Sequence, residues 1–260
     1  METGRRDFLT GVGLAAAAVA APAVFADVGE GAKKKRGTVV YVSCHPDDLA
    51  GSVGTVIRLA ERHDVHVVEF THGERGLGEA GYRDGSTAKT RTAEDEAVCK
   101  AIGVPLHWCH EIDGEAFASR AACEEIAAVF RELKPRAIIV HSLIETHYDH
   151  MMSAAAAIKA TQLAKIRPEI YFQEQDIQSR AFQPVYWVDV SALTERRREL
   201  ISLWASQNGP KIAERKIRTS ETNALRLAPW KWTHAEIFGV FPGTVPPGKG
   251  IFDELPGVMR

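Results

Sequence analysis

The sequence predicts an α/β fold: a mainly parallel, twisted sheet with helices on both faces. Apolar, β-branched runs alternate with helical stretches through most of the chain, and repeated βα units of this length favour parallel strand neighbours. The densest chemistry, at residues 44–48 and 147–150, directly follows two of those runs, and open α/β sheets place ligands beyond the carboxyl ends of their strands.

The elements follow in order. Thr38-Val39-Val40-Tyr41-Val42-Ser43 reads as a buried strand over 38–43. Pro46 ends it, because its ring fixes φ and it has no N–H for a ladder. A helix is expected over 50–62, then a strand over 65–70 and a helix over 88–102. Between them, the loop from Thr71 to Thr87 is long and glycine-rich, as binding loops often are. A strand over 104–109 precedes a helix over 119–133, and a strand over 136–141 precedes a helix over 150–164. Short strands near 169–173 and 185–190 and a helix over 192–205 complete the pattern. No Gly-x-Gly-x-x-Gly follows the first strand, which argues against a dinucleotide site.

At 260 residues, 45% hydrophobic and net charge −2, the chain can bury a full core. That balance excludes a disordered protein and gives no footprint for nucleic acid. Thr3-Gly4-Arg5-Arg6-Asp7-Phe8-Leu9-Thr10, an alanine-rich stretch to Ala21 and Val24-Phe25-Ala26 have the order of a twin-arginine signal peptide over residues 1–26. The expectation is export to the periplasm or the exterior, with no stable membrane span, since the apolar run is shorter than the ~20 residues a bilayer needs. Residues 27–37, with Lys33-Lys34-Lys35-Arg36, read as a basic linker, 38–260 as one domain, and the segment from about 242 as a proline- and glycine-rich arm. Cys44, Cys99, Cys109 and Cys123 match no zinc-knuckle spacing. Buried thiols are the expectation, with Cys99–Cys109 and Cys44–Cys109 as the alternative bridges.

Two clusters carry the chemistry, Cys44-His45-Pro46-Asp47-Asp48 and His147-Tyr148-Asp149-His150. A hydrolytic metal site needs about three His or carboxylate ligands, an open position and an unbound base nearby. His45 and Asp48, three apart across a proline turn, can face one ion. Asp47 then projects toward water or substrate. His150, opening the next helix, is the natural third ligand, and His147 can face a substrate carbonyl.

His-Pro-Asp-Asp after the first strand with His-x-Asp-His after the fourth resembles the PIG-L/LmbE-like family of zinc-dependent N-acetylglucosamine deacetylases. Thr71-His72-Gly73-Glu74-Arg75-Gly76, Arg91-Thr92-Ala93-Glu94 and Asp113-Gly114 are similar to further blocks of that family, as are Val188-Asp189-Val190-Ser191, Ser206-Gln207 and Ala235-Glu236-Ile237-Phe238. The resemblance implies a single Rossmann-like domain with one Zn2+ held by His45, Asp48 and His150; iron, cobalt and manganese also suit such a donor set. It implies Asp47 as general base, His147 on the oxyanion or leaving amine, and Asp149 orienting the His147 ring. Arg75, Arg91 and Asp113 become candidate substrate contacts. The implied partner is a small molecule or oligosaccharide bearing an N-acetylated amino sugar, and the implied assembly a homotrimer or hexamer. Rival readings are an amidase of another sugar-linked amide and a non-catalytic glycan or metal binder; Asp47 favours an enzyme, since a binder has no need of a base. Leu49 stands where the family usually has Glu, and Glu145 where some members have Tyr. His141 and His72 are weighed as cleft residues, and Trp230 and Trp232 as either sugar platforms or packing for the arm.

Overall fold

The computed structural model describes residues 36–179, 181–227 and 231–260. The expected signal peptide, most of the expected basic linker and Trp230 lie outside these residues.

Strands β1 (Thr38–Ser43), β2 (Asp64–Thr71), β3 (Leu106–Glu111), β4 (Ala137–His141) and β5 (Glu169–Gln173) form the parallel part of one sheet. β6 (Tyr186–Asp189), β7 (Ala235–Val240) and β8 (Val258–Met259) extend it antiparallel beyond β5. The spatial order is β3-β2-β1-β4-β5-β7-β6-β8. From β1 the chain winds outward to β2 and β3, then returns to lay β4 on the other side of β1. That reversal opens a crevice beyond the ends of β1 and β4, the position where such sheets bind ligands.

The expected mainly parallel α/β sheet is present, and the antiparallel end is its unforeseen extension. β1 is buried after Thr38 because helices cover both its faces. On one face, Val39, Tyr41, Val53, Leu59, Ile139 and Trp204 share a core with helices α1 (Val53–Ala60), α3 (Ser86–Ile102), α6 (Thr194–Ile201) and α7 (Gly209–Leu227). On the other, Val40, Val42, Phe70, Ile126, Phe130 and Ala157 pack beneath α4 (Arg120–Leu133) and α5 (Tyr148–Leu163). The remaining helix, α2 (Glu79–Arg83), is a short turn in the long loop after β2. α4 begins at Ser119, whose hydroxyl accepts the Ala122 N–H at 3.0 Å. α3 stops at Gly103, whose φ of 82° suits a residue without Cβ.

One contact ties the antiparallel part of the sheet to the helix that follows β1. Glu236 on β7 accepts the N–H groups of Gly54 and Thr55 at the start of α1, at 3.1 and 2.7 Å. Arg197 on α6 pairs with the same carboxylate at 3.0 Å, and both side chains are buried. A Cβ at Gly54 would meet Val190 at 2.8 Å and Glu236 at 3.0 Å, so glycine is what permits the approach.

The C-terminal arm is more than a surface strap: Ile251 and Phe252 are fully buried, and β8 adds a strand beside β6. Trp232 packs with Trp187, Ile237 and Met259 of that arm rather than facing the crevice. All four cysteines are free and buried. Cys99 lies in the first core and Cys109 in the second, on opposite faces of the sheet. No described helix is long and apolar enough to cross a membrane.

Candidate active site

The turn after β1 delivers three residues in different directions. Asp48 starts a short 3-10 helix, and its Oδ2 accepts the backbone N–H of His45 at 2.9 Å. Asp47, between them, sits at φ 106°, ψ −13°, a conformation that is costly for a residue with a Cβ and is kept where surroundings over-determine it. Here Arg91 supplies that constraint, donating to Asp47 Oδ1 at 2.7 Å and to the Gly73 carbonyl at 3.2 Å, as well as to the Pro46 carbonyl. The result turns the Asp47 carboxylate away from Asp48 and onto the cavity wall.

Asp48 Oδ2 is the hub. It lies 3.3 Å from His45 Nδ1, from His141 Nε2 and from His150 Nε2. Donors held about 2.0–2.1 Å from a tetrahedral metal are about 3.3–3.4 Å apart, a spacing that each of these pairs meets singly. Among the described residues, four sets bring single donor atoms within 4.8 Å of one another: Asp48 with His141 and His150, His45 with His147 and His150, Cys44 with His45 and Asp48, and His45 with Asp113 and Asp149. The expected trio of His45, Asp48 and His150 is spread over these sets and is not together in any one of them, whereas His141 joins Asp48 and His150. Glu145 Oε2 lies 3.3 Å from His150 Nδ1 and steadies the ring from behind, while its Oε1 accepts from Ser179. A carboxylate behind a histidine is the usual support for a metal-ligating imidazole.

The electrostatics agree with that fit. Arg91 pairs with Asp47 at 2.7 Å and lies 3.8 Å from Asp113, while Asp48, Asp149 and Glu145 face imidazoles. Burial opposes charge on His45, yet Cys44 and the carboxylates of Asp113, Asp149 and Asp48 hold its proton well beyond the ordinary range. Burial likewise opposes His150, and Asp48 and Glu145 nonetheless raise it to about 9. Burial and His150 push His141 down to about 4. Asp48 is held well below the usual carboxylate range despite burial, through His150 and His141. A cluster that retains protons on two imidazoles is short of positive charge, and a divalent cation would supply it. Asp47 differs: burial raises it to about 6, with Arg91 opposing and Asp48 reinforcing the rise.

Several expected placements need correction. Asp149 does not orient His147. Its Oδ2 lies 3.3 Å from His45 Nε2 and accepts the Gly114 N–H at 2.6 Å, because the first turn of α5 aims it back toward β1. The helix starts at Tyr148, with His147 as its flanking residue. His147 Nδ1 has no described hydrogen-bond partner, and the ring stacks on His150 with centroids 4.5 Å apart. Arg91 lines the cavity but is spent on Asp47 and two carbonyls, so it braces rather than reaches outward. Asp113 Oδ1 is 3.3 Å from His45 Nε2, and its Oδ2 accepts the Arg75 N–H at 3.1 Å. The Arg75 side chain pairs with Glu115 over the Tyr82 ring. Leu49 is fully buried in the first core and does not face the cavity.

The cavity, of about 320 Å³, is closed on its far side by residues the motifs did not single out: Gln175, Gln178, Ile212, Arg215 and Lys216. Ile212, Arg215 and Lys216 belong to α7, whose apolar and charged residues recur at i, i+3, i+4. That period was the available signal.

Residues 40–161 match the family model of PIG-L, the GlcNAc-PI de-N-acetylases. No curated protein matches the chain. Among solved structures, the chain resembles GalB, the 4-carboxy-2-hydroxymuconate hydratase of Pseudomonas putida, at TM-score 0.70 and 21% identity, over 81% of this chain and 98% of that one. It also resembles the N,N'-diacetylchitobiose deacetylase of Pyrococcus horikoshii, at TM-score 0.66 and 22% identity, over 79% and 84%. A conserved protein of Thermus thermophilus matches at TM-score 0.66 and 24% identity, over 80% and 95%. These likenesses show a shared fold.

Proposed function

Because residues 40–161 form a PIG-L family domain, we propose that this chain is a metal-dependent N-deacetylase of an N-acetylglucosamine-type substrate, with zinc as its metal and export as its fate. The observation that carries the reading is the division of labour between neighbours: Asp48 faces three imidazoles while Asp47 is turned away from them and raised to about 6. His45, Asp48 and His150 would hold the ion, with Glu145 and Asp149 fixing the two rings. A divalent metal bound there supplies Lewis-acid polarisation of a carbonyl and makes water more acidic.

The chain's own groups do the rest. Asp47 takes the proton of the attacking water, and Arg91 holds its Oδ1 while the residue lines the cavity. His147 lines the same cavity with an unpartnered Nδ1. It is placed to steady the oxygen of the tetrahedral carbon and to carry a proton to the departing amine. Breaking the C–N bond then releases acetate and a free amino sugar.

The test is free-amine release from N-acetylglucosaminyl compounds by the zinc-loaded chain beside Asp47→Asn. Loss of a positioned general base lowers turnover by roughly 10²–10⁴-fold, with metal content unchanged. Amine release that Asp47→Asn retains in full, or none from the loaded wild type, would overturn the reading.

A further inference from the structure

We propose a second metal site, on β2 and the outer strand β3, where His66 and His107 hold a divalent ion of the nickel, copper and zinc group, with Glu132 of α4 as the third ligand. It is separate from the crevice and independent of the deacetylase reading. His66 pairs with Val40 in the middle of β1, whereas the crevice cluster begins after Ser43, where that strand ends.

Both histidines stand where strand alternation calls for apolar side chains. On β2, His66 shares its face with Val68 and Phe70, and on β3, His107 shares its face with Cys109. Those three neighbours belong to the core beneath α4. His107 lies opposite Val68, which makes His66 its diagonal neighbour, within reach for ring side chains. His66 Nδ1 and His107 Nε2 are 3.0 Å apart, with ring centroids at 5.3 Å and planes tilted by 30°.

The other nitrogen of His66, Nε2, lies 3.3 Å from Asp64 Oδ2. A carboxylate there keeps the ring proton on Nε2 and leaves the Nδ1 lone pair aimed at His107, the support usual for a ligating imidazole. At rest, His107 Nε2–H donates to that lone pair. Moving the His107 proton to its own Nδ1 turns two lone pairs toward one point, with no change of charge. Burial, then His66, lower the His107 pKa, so its ring stays in the neutral form that metals bind.

Helix α4 brings the third donor. It leads from β3 back to the start of β4 and so runs antiparallel to β3. Glu125 sits over His110, accepting its backbone N–H at 3.0 Å. Glu132 is seven residues further along α4, about 10 Å of rise, and His107 is three residues back along β3, also about 10 Å. Glu132 is thus carried to His107, where it opposes the fall of the ring's pKa. Glu132 is exposed and His107 half-buried, which leaves the site open to an ion from solvent. Two imidazoles and a carboxylate with an open position form a donor set that zinc accepts, and imidazole suits copper and nickel as well.

The experiment is equilibrium dialysis of the whole chain against Ni2+ and, separately, Zn2+, reading metal per chain in the wild type, His107→Gln, Glu132→Gln and Asp48→Asn. Gln at position 107 retains an N–H for His66 Nδ1, so a site that is only a hydrogen bond would keep its partner. Glu132 is on the exposed side of α4, and its substitution reads the site without disturbing the core. The expected result is one more equivalent in the wild type than in His107→Gln, with amine release unchanged in that variant. Glu132→Gln should weaken the same equivalent at least fivefold, and Asp48→Asn should retain it. An equal metal content in the wild type and His107→Gln would overturn the proposal. So would an equivalent that is lost with Asp48→Asn, since it would then belong to the crevice. Undiminished affinity in Glu132→Gln would overturn the assignment of the third ligand.

Discussion

On the parallel side of the sheet, β1 and β4 each end in a turn that carries titratable groups into the crevice, and β2 leads into the loop that cradles Arg91. On the antiparallel side, β7 and β6 end in no such cluster; with α6 and α7 they contribute a buried ion pair, a cavity wall and a row of cations. The His/Asp cluster is therefore assembled at the ends of neighbouring parallel strands, while Ile212, Arg215 and Lys216 of α7 form another wall of its cavity. Reaction and selectivity are separable in such a plan. The likeness to a hydratase at TM-score 0.70 and to a deacetylase at 0.66 is consistent with that separation, since a fold does not fix a function.

This contrast can be broken first at Arg197. It lies on the antiparallel side, does not line the cavity of the His/Asp cluster, and pairs in the interior with Glu236. Removing one member of a buried pair costs about 3–5 kcal/mol, so Arg197→Ala should shift chemical denaturation by that amount. A change of under about 1 kcal/mol would show that the far end does not brace the near one.

Glu145→Gln should act in the opposite sense, with little effect on folding and a loss of about 10–100-fold in metal affinity by chelator competition, as for other carboxylates behind ligating imidazoles. Unchanged affinity would remove Glu145 from the support of His150.

A pH dependence sharpens the comparison from within the parallel half. Asp95 on α3 is buried, accepts from Trp204 Nε1 at 2.9 Å, and is raised by burial to about 7 from an ordinary 3.8. Its folded form keeps a proton that the unfolded chain releases, so its contribution to stability is fullest below about pH 3.8 and is lost as pH rises to about 7. Replacing it by Asn should flatten the decline of stability between pH 5 and 8, read as denaturation midpoints against pH. Parallel curves for the two proteins would contradict the raised value.

Much of the parallel half was legible in the sequence, because buried parallel strands are runs of Val and Ile, and Pro46 marks where the first one ends. The ligand candidates were legible for the same reason, as they sit within a few residues of strand ends. Asp149 was misread because local spacing cannot say which way a helix's first turn points. It could serve the ring beside it in sequence, and instead serves His45 across the crevice. α7 escaped notice because its face toward the cavity is a mixture of Ile212, Arg215 and Lys216, which has no meaning until β5 and β7 set the helix against the opening. His141 and Glu145 likewise acquire a role only through Asp48 and His150.

The carboxylate of Glu236 has a consequence for how the molecule comes apart. It grips the first turn of α1, which directly follows the loop bearing His45 and Asp48, from a strand on the far side of β5. Losing β7 would release that turn, and the loop before it would lose its anchor. The antiparallel part and the centre of the sheet are thus joined, so heat should melt them in a single transition. An ion held by His45 and Asp48 would then raise the melting temperature of strands it never touches, by mass action on the whole domain.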